Sequence, residues 1–66
     1  MNIRNFGSNI KRERMKNGMS QEQLGEKSGV SKNAICNYER NKRIPMVDVA
    51  FKLADALGTT VDELLR

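Results

Sequence analysis

Hydrophobic residues recur at intervals of three or four along most of the chain, the spacing of helices that bury one face. The first such face predicts a helix over about residues 5–17, ended by Asn17 and Gly18. Its apolar positions are Ile3, Phe6, Ile10 and Met15. A later face predicts a helix over about residues 47–57, ended by Gly58. Its apolar positions are Val47, Ala50, Leu53, Ala54 and Leu57.

Capping residues mark two shorter helices between these segments. Ser20 is followed three positions later by Gln23, the pattern of a capping box in which each residue's side chain bonds the other's backbone N–H. Gly29 ends this helix. Ser31 is then the predicted N-cap of a third helix over about residues 32–40.

A loop and a final helical turn complete the pattern. Asn41, a residue that tolerates the left-handed conformation, is the predicted C-cap of the third helix. Residues 41–46 then form a basic loop that contains the one proline. Thr60 and Glu63 form a second capping box that opens the last turn. The inward positions of that turn are Val61, Leu64 and Leu65.

These elements predict an all-α fold, a compact bundle of five short helices in a single domain over residues 1–66. The connections are short, and no segment shows the alternating pattern of a strand. A core of this size supplies only a few kcal/mol of net stability. The helices must therefore be well formed or supported by a partner subunit.

Residues 20–40 carry the most informative combination of features. A helix-turn-helix needs two short helices joined by a tight turn, and Gly29 suits the positive φ of such a turn. Gly25 allows the two helices to approach closely, and Val30 anchors the turn in the core. The predicted core between the helices is Leu24, Ile35 and Tyr38.

The segment 20–40, SQEQLGEKSGVSKNAICNYER, resembles the helix-turn-helix of the phage Cro/C1 repressors, also called the XRE family. The resemblance runs from about residue 6 to residue 65. It implies the lambda-repressor-like fold, a sequence-specific DNA-binding regulator of transcription, and a homodimer on a two-fold operator. Met46 departs from the family, which commonly has Ser or Asp there as the cap of the fourth helix. Asn41 stands where glycine is common.

The third helix has two faces. Ile35 and Tyr38 belong to the core with Ala34 alongside. The opposite face holds Asn33, Cys36, Asn37 and Arg40. Asparagine suits the N6/N7 edge of adenine, and lysine suits O6/N7 of guanine. The residues predicted to read bases in the major groove are therefore Lys32, Asn33 and Asn37. Cys36 is interpreted as a small residue beside the bases rather than as a redox switch.

Phosphate contacts are expected at both ends of this unit. Gln21 and Ser31 begin their helices, where backbone N–H groups meet anions. Arg40, Lys42 and Arg43 follow the third helix and are predicted to contribute affinity and orientation.

Two further predictions come from the resemblance and from the small number of base pairs that one recognition helix can read. The family pairs an arginine late in the first helix with a glutamate late in the third, which implies an ion pair between Arg14 and Glu39. One short recognition helix reads too few base pairs to find a single site, so a dimer is expected. Its predicted interface is Phe51, Gly58, Thr59, Val61 and Leu65.

Charge and composition narrow the alternatives. Residues 1–43 hold ten Lys/Arg against four acids, whereas residues 44–66 hold two against four. The chain has no histidine and one cysteine, which argues against an enzyme, a zinc site or any other metal, and no cofactor motif is evident. No signal peptide and no apolar run of membrane-spanning length is apparent, so a cytoplasmic protein is expected.

Three alternatives remain open. The chain could be an antitoxin or a restriction–modification controller of the same fold. It could also be a protein-interaction module that does not bind DNA. Such a module would present an acidic or apolar face on the third helix, whereas that face is rich in asparagine, lysine and arginine here.

Overall fold

Five helices make up most of residues 5–66, the part of the chain that the computed structural model describes. They are α1 (Asn5–Lys16), α2 (Gln21–Ser28), α3 (Lys32–Glu39), α4 (Val47–Leu57) and α5 (Val61–Leu65). No strand occurs in that part, and each helix lies within two residues of its predicted position. The all-α prediction is therefore confirmed. Ile3, assigned to the first apolar face, lies outside the described residues.

The predicted N-caps of α2 and α3 are confirmed. Ser20 Oγ accepts from the Gln23 N–H at 3.0 Å, and Gln23 Oε1 accepts from the Ser20 N–H at 2.8 Å, which completes the capping box. Ser31 Oγ accepts from the Ala34 N–H at 3.1 Å. Helices as short as α2 and α3 are marginal on their own, so these caps help to define where they begin.

Four of the five helices end through a left-handed residue, and Gly29, with a φ of 77°, ends α2 in this way. Gly18, Asn41 and Gly58 have φ of 68°, 58° and 69° after α1, α3 and α4. At α3 the Lys42 N–H donates to the Asn37 carbonyl at 2.9 Å, and the Asn41 N–H to the Tyr38 carbonyl at 3.0 Å, the paired bonds of a Schellman motif. The predicted role of Asn41 is confirmed, and Lys42 is tied to α3 through its backbone.

The second capping box forms only in part. Thr60 Oγ1 accepts from the Glu63 N–H at 3.1 Å. The Glu63 carboxylate does not complete the box, because it lies 3.6 Å from the Arg66 guanidinium instead. Met46, at the N-cap of α4, makes no side-chain cap hydrogen bond, as its departure from the family predicts.

Each helix contributes one fully buried aliphatic side chain to the centre of the bundle. These are Ile10, Leu24, Ile35, Leu53 and Leu64. Burying one such side chain stabilises a fold by about 1.5–3 kcal/mol. The surrounding buried residues are Phe6, Val30, Tyr38, Ala50, Ala54, Ala56 and Leu57, and the partly buried Val61 and Leu65 pack against them.

Two apolar positions were assigned to the wrong side. Met15 is 62% exposed, and Val47 is 73% exposed. Met15 follows Phe6 by about two and a half helical turns and so points to the opposite side of α1. Val47 begins α4, and no other element among residues 5–66 covers this end of the helix. Helical spacing alone does not reveal this.

Two contacts of α1 had no counterpart in the sequence analysis. A Cβ placed on Gly7 would overlap the Tyr38 carbonyl oxygen, so α1 and α3 touch backbone to backbone there. Asn9, buried at 5% exposure, donates through Nδ2 to the Leu64 carbonyl at 2.8 Å. These contacts fix α1 against α3 and α5, and so hold α3 at the surface of the bundle.

Candidate nucleic-acid interface

The two faces of α3 differ in burial. Ile35 and Tyr38 are buried, and Ala34 is half-buried against the core. Lys32 and Asn33 are exposed. Asn37 and Cys36 are half-buried, and Arg40, just after the helix, is exposed. The structure therefore brings the predicted base-reading residues together along one accessible side of α3.

The turn before α3 is what makes its first turn accessible. Gly29 has a φ of 77°, the left-handed conformation that favours glycine. A Cβ on Gly25 would lie 2.8 Å from the Val30 carbonyl oxygen, closer than real Cβ contacts come. With Val30 buried in the core, Ser31 and the first turn of α3 stand at the surface.

The starts of α2 and α3 offer hydrogen-bond donors. Ser31 uses a lone pair of Oγ to cap α3, which leaves its O–H available to donate to an anion. Gln21 is half-buried, and its Nε2 donates to Glu39 Oε1 at 3.1 Å. No pattern in the sequence indicates this bond, because the two residues are eighteen positions apart on different helices.

The cations after α3 are accessible. Arg40, Lys42 and Arg43 are all exposed. Within residues 5–66, none of the three lies in salt-bridge contact with a carboxylate. Because Lys42 is tied to Asn37 by a backbone bond, the backbone that carries this positive charge has a fixed place relative to α3.

Arg14 and Glu39 lie together as a two-pronged pair. Arg14 Nε donates to Glu39 Oε2 at 2.8 Å, and a terminal nitrogen donates to Oε1 at 3.1 Å. Their side chains are only 12% and 4% exposed. Arg14 also donates to the Met19 carbonyl at 2.8 Å. The hydrogen bond to Glu39 raises the pKa of Arg14, although its burial acts in the opposite direction. The contribution of this raised pKa to stability is therefore present below the ordinary pKa of arginine and is lost in strong alkali.

A second, apolar surface lies on α4 and α5. Phe51 and Gly58 are exposed, and Thr59, Val61 and Leu65 are half-buried. A shallow pocket of about 210 Å³ separates Phe51 from Val61. A smaller one of about 110 Å³ lies on the other side of Val61. The lining of the smaller pocket is Phe6, Ile44, Pro45, Val47, Ala50, Val61 and Leu65.

Part of this surface was not predicted from the sequence. Ile44 and Met46 are 64% and 75% exposed, and with Val47 they extend it to the loop before α4. A run of apolar residues directly after Lys42 and Arg43 was the available signal. We refer to Ile44, Met46, Val47, Phe51 and Val61 as the apolar patch.

Metal-binding clusters and membrane-spanning helices are two further features to consider among residues 5–66. No group of three or more His, Cys, Asp and Glu side chains there could hold a metal ion. None of the described helices has the length and hydropathy needed to span a bilayer.

Two helices of eight residues joined by a tight glycine turn, with polar side chains outward on the second, define a helix-turn-helix protein. The chain belongs to the helix-turn-helix family of the XRE or Cro/C1 type, because the family's sequence profile matches residues 10–64. Members of this class are DNA-binding regulators of transcription.

Similar proteins agree in sequence and in fold. An HTH-type transcriptional regulator of Sinorhizobium fredii is 39% identical over 59 residues, which span 89% of this chain and 77% of that protein. The DNA-binding domain of the P22 C2 repressor matches with a TM-score of 0.89 and 35% identity, over 98% of this chain and 86% of that one. The restriction–modification controller C.AhdI of Aeromonas hydrophila matches with a TM-score of 0.87 and 32% identity, over 94% and 92%. The predicted family and fold are confirmed.

Proposed function

We propose that this regulator is a repressor that binds a two-fold operator as a homodimer, with α3 of each copy in the major groove, and acts in the cytoplasm. The accessible polar side of α3 carries the proposal. Its first turn presents Lys32 and Asn33, while Ile35 and Tyr38 on the other side hold the helix in the core. A helix anchored in this way can enter a groove without losing its packing.

The residues divide into base contacts and phosphate contacts. Lys32, Asn33 and Asn37 read base edges, since each offers donors that match the major-groove patterns of guanine or adenine. The phosphate contacts are Gln21, Ser31, Arg40, Lys42 and Arg43. These contacts supply affinity on any sequence and depend on salt.

The homodimer uses the apolar patch together with Gly58, Thr59 and Leu65. A monomeric domain rarely leaves several large apolar side chains exposed side by side. In the proposed dimer, two copies related by a two-fold axis present their recognition helices on one face, as a two-fold operator requires.

The test is selection of binding sites from a random duplex library with the wild type and two variants. We expect the wild type to enrich a two-fold site with half-sites about 10 bp apart. Asn33→Ala should relax one position in each half-site. Lys32→Ala should relax a different position. Lys52→Ala removes the same charge from an exposed position of α4 and should leave the selected site unchanged. No enriched sequence at moderate salt would contradict the proposal.

A second candidate is a restriction–modification controller. The match to C.AhdI covers 94% of this chain and 92% of that controller, so the similarity extends over nearly the whole controller. The two candidates predict different operator positions. A controller's operator lies beside a restriction or methyltransferase gene, and mapping bound sites in the source genome distinguishes the two. An antitoxin would instead co-purify with a toxin encoded next to it.

A further inference from the structure

Three N–H donors converge on the carboxylate of Glu39. Arg14 donates to both oxygens through Nε and a terminal nitrogen, and Gln21 adds its Nε2 at 3.1 Å. Glu39 is almost fully buried, with 4% of its side chain exposed. Arg14 neutralises the charge of Glu39. Oε1 accepts one hydrogen bond from Arg14 and a second one from Gln21.

This bond fixes the orientation of the Gln21 amide. A carboxylate oxygen only accepts, so the nitrogen end of the amide must face Glu39. The other atom of the amide, Oε1, has no hydrogen-bond partner within residues 5–66. No buried side-chain nitrogen or oxygen there is left unsatisfied, so solvent reaches Oε1. One N–H of the planar amide is therefore held by Glu39, and the second N–H of Nε2 has no acceptor within residues 5–66.

We propose that Glu39 is a positioning residue for DNA binding, which holds the Gln21 amide so that its second N–H is presented to a phosphate. This inference rests on the proposed function, in which Gln21 contacts the DNA backbone. The Arg14–Glu39 pair then has two roles, since it joins α1 to α3 and also orders a side chain at the start of α2. The conformational entropy of Gln21 is lost on folding rather than on binding, which favours the complex.

The test is a double-mutant cycle between positions 39 and 21, measured as affinity for the selected duplex. Arg14 and Gln21 together donate three hydrogen bonds to the two carboxylate oxygens of Glu39. The glutamine of Glu39→Gln has only one acceptor oxygen, so the amide of Gln21 loses its fixed partner. We expect Gln21→Ala and Glu39→Gln each to weaken binding by about three- to tenfold, the effect of one net hydrogen bond. In the Gln21→Ala background, Glu39→Gln should cause no further loss. Equal losses in both backgrounds would show a purely structural role and overturn the inference.

Two controls separate this effect from charge and from general phosphate contacts. Glu26→Gln makes the same chemical change at an exposed position of α2 and should bind no more weakly than the wild type. A glutamine displaces no counterion, so Gln21→Ala and Glu39→Gln should keep the wild-type salt dependence. Arg40→Ala should reduce the slope of log affinity against log salt concentration by about one. A changed slope for Gln21→Ala or Glu39→Gln would contradict the inference.

The wild type provides a test that needs no variant, in case Glu39→Gln does not fold. Nuclear magnetic resonance resolves the two side-chain amide protons of Gln21. We expect the proton held by Glu39 to keep its chemical shift when DNA is added, while the other moves. If neither moves, Gln21 does not meet DNA and the inference is wrong. A wild type that binds no duplex would instead overturn the proposed function itself.

Discussion

The junction of α1 with α3 and the outer surface of α4 are built in opposite ways. At the junction, Gly7 lets two backbones touch, and Arg14 and Glu39 form a buried two-pronged pair. On the outer surface of α4, Phe51 is exposed and Met46 leaves the helix without a side-chain cap. The junction determines one arrangement of two helices, whereas the α4 surface leaves large apolar side chains exposed.

This difference separates the part of the molecule that is held in one geometry from the part that is proposed to meet a partner. The proposed base reading would depend on the exact position of α3, which close contacts and directional bonds provide. The proposed association would depend on apolar area, which tolerates some freedom in position. Substitutions at the junction should therefore affect stability strongly, and substitutions on α4 should affect it weakly.

Gly7→Ala should give the largest effect. The added Cβ would overlap the Tyr38 carbonyl, a backbone atom that cannot move away cheaply. We expect the free energy of unfolding to fall by at least about 3 kcal/mol, measured by urea denaturation. Ser8→Ala, at the next and exposed position of α1, should change it by less than about 0.5 kcal/mol. Similar losses for the two variants would disprove the close contact.

Removal of one member of the Arg14–Glu39 pair comes second. Arg14→Met leaves the Glu39 carboxylate buried without its charge partner and should cost about 3 kcal/mol of unfolding free energy. The matched comparison is Arg12 with Glu13, a more exposed pair 3.8 Å apart. A double-mutant cycle there should give a coupling below about 1 kcal/mol. Equal coupling in the two cycles would contradict the distinction between junction and surface.

Met46→Asp should produce a smaller effect of opposite sign. Met46 has the extended backbone of an N-cap, with φ −68° and ψ 161°, but its side chain cannot accept the first N–H groups of α4. Aspartate can, and the free energy of unfolding should rise by about 1 kcal/mol. Thermal unfolding at high dilution, where association through the apolar patch is absent, measures the change, with Met46→Ala as the control that adds no cap. A gain with alanine as large as with aspartate would rule out capping as the cause.

Phe51→Ser should have the smallest effect on the isolated chain and a clear effect on its association. Phe51 is 60% exposed, so the unfolding free energy at high dilution should change by less than about 0.5 kcal/mol. If Phe51 lies in the dimer interface, its loss should weaken self-association by at least about 2 kcal/mol in sedimentation equilibrium. Lys52→Ser at the next position is the control. A wild type that stays monomeric both free and on DNA would refute the proposed homodimer.

The sequence predicted the features that depend on neighbouring residues. Capping at Ser20 and Ser31 and the left-handed conformations of Gly29 and Asn41 follow from chemistry within a few positions. These signals located α2 and α3, while the spacing of apolar residues and the remaining end signals located the other helices, and the resemblance to the family supplied their arrangement.

The features that sequence reasoning missed join distant positions. Asn9 bonds Leu64, which lies 55 residues away, and Gln21 bonds Glu39. No local pattern shows which polar side chain will meet which carbonyl once the helices pack. The error at Val47 has the same origin, because burial at a helix end depends on what other elements cover it. Of the candidate site, the sequence could place side chains on α3 but not show what holds Gln21.

Cys36, half-buried midway along the outer side of α3, is the one thiol of the chain. A fluorophore or spin label attached there would need no engineered residue, and no second thiol would compete for it. The chain therefore contains a natural reporter on the helix proposed to enter the groove. The rate at which Cys36 reacts with a small alkylating reagent, with and without duplex, would reveal how closely that helix is covered when DNA is present.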